Sequence, residues 1–299
     1  MSNAWPPLPL DGWKPTYETL HLWMQVVGKI TLALTPLTNH FWNGAFRVTA
    51  RGVETPPLTS GTQRLAIRFD FLEHQLAIES SDGRVEKIRL EPMTVAAFYR
   101  EVMAALGRLG VDVRIWPMSV ELPVNVRLDQ DEAHSAYDPA AAENCWRALL
   151  AMQPVFESFR GGFVGKSSPV HFFWGAFDLA ASRFNGARAP KRTETDPVML
   201  KIMEESYSHE VISHGFWPGG GSVPEPVFYA YIAPEPEGFK TAEVRPDAAF
   251  YSTDMSEFIL PYEAVRSSAD PEGSLRAFLD STYNAAADLA NWERAKLER

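Results

Sequence analysis

Cysteine is almost absent: Cys145 is the only one in 299 residues. No intrachain disulfide and no cysteine-built zinc site can form. An excess of basic residues is missing too. The chain has 28 Lys and Arg against 38 Asp and Glu, a formal net charge of -10, and phosphate-backbone binding draws on clustered cations, so nucleic acid is not an expected partner. No run approaches the ~18 apolar residues needed to cross a bilayer, so no membrane partner is expected. The opening MSNAWPPLPLDGW has neither a basic start nor an apolar core segment, and a secretory leader is not expected. What remains, 45% hydrophobic and 22% charged, reads as a globular, cytoplasmic protein with a sizeable core. The length suits two domains, or one domain in two halves.

Residues 1–14 form a proline-rich arm, ordered if Trp5 and Trp13 dock. A helix is expected from Thr16 as cap. Its polar row Glu18, His21, Gln25 and Lys29 reads either as a solvated face or as the border of a cavity. Alternating apolar segments follow, with Ser81-Asp82-Gly83 as a hairpin turn, and predict an antiparallel meander. A helix over 94–109 closes an N-terminal half of residues 15–121. The polar stretch 122–137 connects it to a C-terminal half, 138–299. There a helix capped by Asp138 should kink or stop at Pro154. The aromatic stretch 168–185, a helix over 197–206, strands near 227–232, 248–252 and 257–260, and a helix pair split near Asn291 complete the chain. The fold class is α+β, antiparallel meanders with packed helices. Met24-Gln25 and Met152-Gln153, HFWNGAF at 40–46 and HFFWGAF at 171–177, and Ala97-Phe98 and Ala277-Phe278 suggest two related halves. Reuse of the same few core residue types is the competing explanation.

The stretch 168–185 organises the functional reading. As one continuous strand it places Val170, Phe172, Trp174 and Asp178 on one face and His171, Phe173 and Phe177 on the other. An unpaired buried polar group costs roughly 1–3 kcal/mol, so His171 and Asp178 need partners. A carbonyl or hydroxyl meets that need; so does a ligand pocket. His209, Glu210 and His214 do not make a zinc-protease helix, which needs histidines four apart. Trp217, Tyr229 and Tyr231 near Gly219-Gly220-Gly221 have the character of a small-molecule site, and equally of an aromatic core. The glycines lack the strand-to-helix setting and the lysine of a phosphate loop.

These residues point to a small-molecule-binding protein. It is an enzyme if His171, His209 and His21 act as acid–base groups alongside Glu210, with Trp174, Trp217, Tyr229, Tyr231, Gln25 and Asp178 holding the ligand. No cofactor and no metal is assigned. Two other classes stay open: an interaction protein using its acidic surface or proline-rich arm, and a transition-metal protein in which the three histidines meet Glu210 or Asp178.

The strings TYETLHLWMQVVGKI, SPVHFFWGAFDLAASRF, SYSHEVISHGFWPGGG and VFYAYIAPEPEGF together resemble a bacterial family known as a domain of unknown function. The resemblance runs from Trp5 to the last helix. It implies a stand-alone protein, and no activity, substrate or site residue.

Overall fold

A computed structural model describes residues 5–122, 125–221 and 223–299. The first four residues of the arm, positions 123 and 124 of the connecting stretch, and position 222 beside the three glycines lie outside the described residues. Among those described are seven α-helices and two antiparallel six-stranded sheets, so the fold is α+β. The chain divides into two compact units. The first holds residues 11–150 and 172–177; the second holds residues 5–10, 151–171 and 178–299.

In the first unit the opening helix α1 (Leu10–Ala33) begins earlier than expected, with Asp11 in its first turn and Pro15 inside it. Thr16 is therefore not its cap. Its hydroxyl accepts the Asp138 N–H at 2.9 Å, and the Thr19 hydroxyl donates to the Pro15 carbonyl at 2.9 Å while accepting the Ala136 N–H at 3.1 Å. Both threonines thus hold the connecting stretch to the helix.

The sheet is the expected meander: β1 (Arg47–Thr49), β2 (Gly52–Glu54), β4 (Gln63–Asp70), β5 (Gln75–Ser80) and β6 (Val85–Arg89) in that order, with β3 (Leu58–Ser60) paired to β4. Alternation buries Leu65, Ile67 and Phe69 of β4. α2 (Val95–Arg108) is capped by Thr94, whose hydroxyl accepts the Ala97 N–H, and stacks Phe98 on Trp23 at 4.8 Å. α3 (Pro139–Gly161) continues past Pro154 and does not stop there. Val155, Phe156 and Phe159 beyond the proline are buried, and that packing outweighs the roughly 3 kcal/mol that an interior proline costs.

In the second unit the strands follow the order β11 (Phe250–Ser252), β12 (Glu257–Pro261), β10 (Val227–Ala233), β9 (His209–Trp217) and β8 (Asp178–Arg188); the sheet's sixth strand is β7 (His171–Phe173), of which only His171 belongs to this unit. α4 (Pro197–Ser206) joins β8 to β9, while α5 (Tyr262–Arg266), α6 (Pro271–Leu289) and α7 (Arg294–Leu297) follow the sheet. The stretch 168–185 is not one strand. A turn at 174–177, with Phe177 at φ 60°, separates β7 from β8.

The turn has local causes in the first unit, where its aromatics are anchored. Phe46 and Phe172 exchange backbone hydrogen bonds of 2.8 and 2.9 Å, and the Trp174 indole N–H donates to the Gly44 carbonyl at 2.9 Å. That indole lies on α1 where Gly28 leaves room, since a Cβ there would stand 2.1 Å from the ring. HFWNGAF and HFFWGAF are thus joined to each other by the Phe46–Phe172 bridge. They also differ in local form, with His40 at φ 58° in a 3-10 turn and His171 opening a strand.

The arm is ordered from Trp5 onward. The Trp5 ring lies 6.5 Å from that of Phe228 and 6.1 Å from that of Tyr262, and the Tyr262 hydroxyl donates to the Pro6 carbonyl at 2.8 Å.

Candidate functional site

The register of the second sheet sorts its side chains. Leu179 and Ala181 of β8, His214 and Phe216 of β9, and Phe228 and Ala230 of β10 share the face on which α6 packs. There the buried His214 Nε2 meets the Thr282 hydroxyl at 3.0 Å. The opposite face carries Asp178, Ser182, Ser213, Tyr229 and Tyr231, with Ser182 paired to Ser213 and Ser213 to Tyr231 across the strands. Tyr229 pairs with Ile259, so Glu257, two residues earlier on β12, falls on the same face.

Several of these groups are bonded in pairs. The Tyr229 hydroxyl donates to the Asp178 carboxylate. To reach it the ring crosses Gly215, where a Cβ would stand 2.3 Å from the phenol. Tyr229 stacks on Tyr231 with centroids 6.0 Å apart, the Tyr207 hydroxyl donates to that of Tyr231 at 3.1 Å, and the Ser182 and Ser213 hydroxyls meet at 2.9 Å. The Arg192 guanidinium lies 4.4 Å over the Tyr207 ring. At one end of the face, the vacant Cβ position of Gly220 is 3.4 Å from the Trp217 ring.

Electrostatics separates the two carboxyls. Burial pushes Asp178 up to about 6, against the hydrogen bond from Tyr229, which favours its charged form. Burial and then the nearby Asp178 charge push Glu257 up to about 8. Near neutral pH one is therefore an ionised acceptor and the other a protonated donor, the division of labour of an acid–base pair. Burial, with the Asp178 charge next, also carries the Tyr229 phenol well above its ordinary value, and it stays a donor.

The histidines have different settings. His21 belongs to the first unit, stacked on Tyr17, with Nε2 2.9 Å from the Gly175 carbonyl. Burial lowers it to about 4 against two backbone carbonyls, so it is neutral. Gln25 is also in that unit. Its amide donates to the Val120 carbonyl at 2.8 Å and accepts the Val120 N–H at 2.8 Å, which leaves it scaffolding. Trp174 is anchored there too.

Of the polar row on α1, His21, Gln25 and Lys29 are buried, so the row is not a solvated face. The Lys29 ammonium sits 4.9 Å from the Trp116 ring and 5.9 Å from that of Trp174. His171, His209 and Glu210 belong to the second unit. His171 is buried, His209 is half-buried at the start of β9 beside the Ser208 hydroxyl at 3.1 Å, and Glu210 accepts the Asn185 amide at 2.5 Å. No three His, Cys, Asp or Glu among the described residues are grouped to hold a metal ion. Of the expected ligand contacts, then, Asp178, Tyr229 and Tyr231 come together. Glu257 joins them unforeseen, because β12 is too short to show its register and carries no motif.

Fold and site together define a class: a two-sheet α+β protein with a carboxyl–tyrosine cluster on one sheet. The chain belongs to a family of unknown function (DUF5996), whose model matches residues 5–299. No curated protein and no solved structure matches the chain. Among the described residues no helix is long and apolar enough to cross a membrane.

Proposed function

We propose that this chain is a cytoplasmic, bacterial small-molecule-binding protein that performs acid–base chemistry on the Asp178, Tyr229, Tyr231 and Glu257 face of its second sheet. The observation that carries the reading is the unequal carboxyl pair, with Asp178 held near 6 and Glu257 near 8 beside three tyrosines. The chemistry suits a hydroxyl-bearing ligand: Asp178 takes its proton, Glu257 supplies one to the departing or polarised oxygen, and the phenol faces pack against its carbon skeleton. The acid–base work passes from the histidines to the carboxyls, with His209 kept as an additional candidate. The net charge of -10 and one buried thiol fit a reducing cytoplasm, and the bacterial assignment rests on the family resemblance of the strings.

The test is a panel of polar metabolites scored by thermal shift on the native chain and on Asp178→Asn and Glu257→Gln. A compound that stabilises the native chain and loses its effect in both variants supports the site. Variants that change stability alone, with no compound active on the native chain, would make the cluster a structural network. We also propose an internal duplication, supported by the shared order of helix, antiparallel sheet and helix in the two halves. Failure of the two sheets to superpose strand for strand in an experimental structure would remove it.

A further inference from the structure

The first unit carries a buried amine for which the carboxyl–tyrosine chemistry has no use. On α1, His21, Gln25 and Lys29 follow one another at helical spacing and share a side. Gln25 grips both backbone groups of Val120, which holds the segment 116–121 along that side of the helix. One turn further on, Lys29 is 8% exposed. Its ammonium lies 4.9 Å from the centre of the Trp116 ring and 5.9 Å from that of Trp174. Among the described residues it makes no hydrogen bond and no ion pair.

The two indoles do different things. Trp174 is fixed, with its N–H on the Gly44 carbonyl and its ring laid on α1 at Gly28. Trp116 is 52% exposed, so the amine is approached from its side. Glu121 acts on Lys29 through charge alone. Its carboxylate has room because position 175 is glycine: a Cβ there would stand 2.0 Å from Oε1.

A lysine kept as a structural cation is usually tied to a carboxylate, and this one is walled by indoles instead. Burial lowers its pKa to about 8, with the Glu121 charge opposing. The indole faces also favour the charged form and offset part of the shift. The uncharged amine is still reached closer to neutral pH than on an exposed lysine, and it is the nucleophilic form. Aromatic walls suit a planar, apolar electrophile, which stacks on Trp116 as it reaches Nζ.

We infer that Lys29 is a Schiff-base site for a small aromatic aldehyde or ketone, held between Trp116 and Trp174. Nζ attacks the carbonyl carbon, and an amine proton passes to the carbonyl oxygen to give a carbinolamine. That hydroxyl then leaves as water and a C=N bond remains. The product, once protonated, keeps the positive charge beside Glu121 and the indole faces.

The test treats the full chain and Trp116→Ala with benzaldehyde across a range of pH. Sodium cyanoborohydride traps the imine, peptide mass spectrometry measures the adduct at each lysine, and circular dichroism confirms that the variant is folded. In the native chain Lys29 should be modified about tenfold or more faster than the exposed Lys14 and Lys240. Its rate should level off above about pH 8, and Trp116→Ala should lose most of the preference. Three results would each overturn the inference: Lys29 modified no faster than Lys14 and Lys240, a rate still climbing at ~pH 10 as for an ordinary lysine, or an undiminished preference in Trp116→Ala. None of these outcomes bears on the Asp178 and Glu257 site, which has its own test.

Discussion

Tyr229 holds Asp178 in its charged form through one hydrogen bond, working against burial. Tyr229→Phe removes that bond and keeps the ring, so the Asp178 carboxyl should titrate above its native value of about 6. Carbon-13 titration of the labelled carboxyl reads this directly, and an unchanged or lower value would separate the tyrosine from the carboxylate. Glu257 makes a prediction about stability. Its pKa rises from 4.5 unfolded to about 8 folded, so between those values the unfolded chain gives up a proton that the folded chain keeps, and stability falls as pH rises. Asp178 acts in the same sense only between 3.8 and about 6. His21, lowered from 6.5 to about 4, acts in the opposite sense and only within that span. From pH 6.5 to 8 Glu257 is therefore the group of these three that sets the slope, at most about 1.4 kcal/mol per pH unit. Denaturant titrations at several pH values should show the decline in the native chain and its loss in Glu257→Gln.

Glycines on two helices test how elements fit. Gly28 faces inward from α1 onto the Trp174 indole, and a methyl group there would overlap the ring. Gly28→Ala should cost about 1–3 kcal/mol by displacing the indole and its bond to Gly44. Gly107, near the end of α2, has nothing within 4 Å of its Cβ position, and Gly107→Ala should gain roughly 0.5–1 kcal/mol from helix propensity. Urea denaturation of the pair separates packing from propensity, and equal effects would refute the contact. The same helix shows what a reader of sequence can and cannot see. Period and caps are local, so α2, the start of α3 and the strands of the first meander follow from spacing and from Thr94, Asp138 and Ser81-Asp82-Gly83. The turn at 174–177 does not, because aromatics filling separate pockets leave the same apolar string as a strand buried on both faces. Pro154 misleads for a related reason: the packing that carries α3 past it lies in residues distant along the chain. Asp178, Tyr229 and Tyr231 were visible as residue types. Their meeting depends on the register of β8, β9, β10 and β12, which no window of sequence contains.

At the scale of the molecule, neither unit is a continuous stretch of chain, since residues 172–177 complete the first and residues 5–10 the second. The arm is thereby part of a core. Trp5 is buried against Phe228 of β10 and Tyr262 of α5, and Tyr262 returns a hydrogen bond to Pro6. Loss of a buried tryptophan costs about 3–5 kcal/mol where the cavity cannot collapse. Trp5→Ala should accordingly lower the stability of the second sheet by about 3 kcal/mol. Hydrogen exchange resolved by residue is the measurement. Amides of β10 and β12 should lose protection in Trp5→Ala, because Phe228 sits on the strand that pairs with both β9 and β12. Unchanged protection there would show that the arm rests on the surface without contributing to the core, and the interaction role first considered for it would become the better reading.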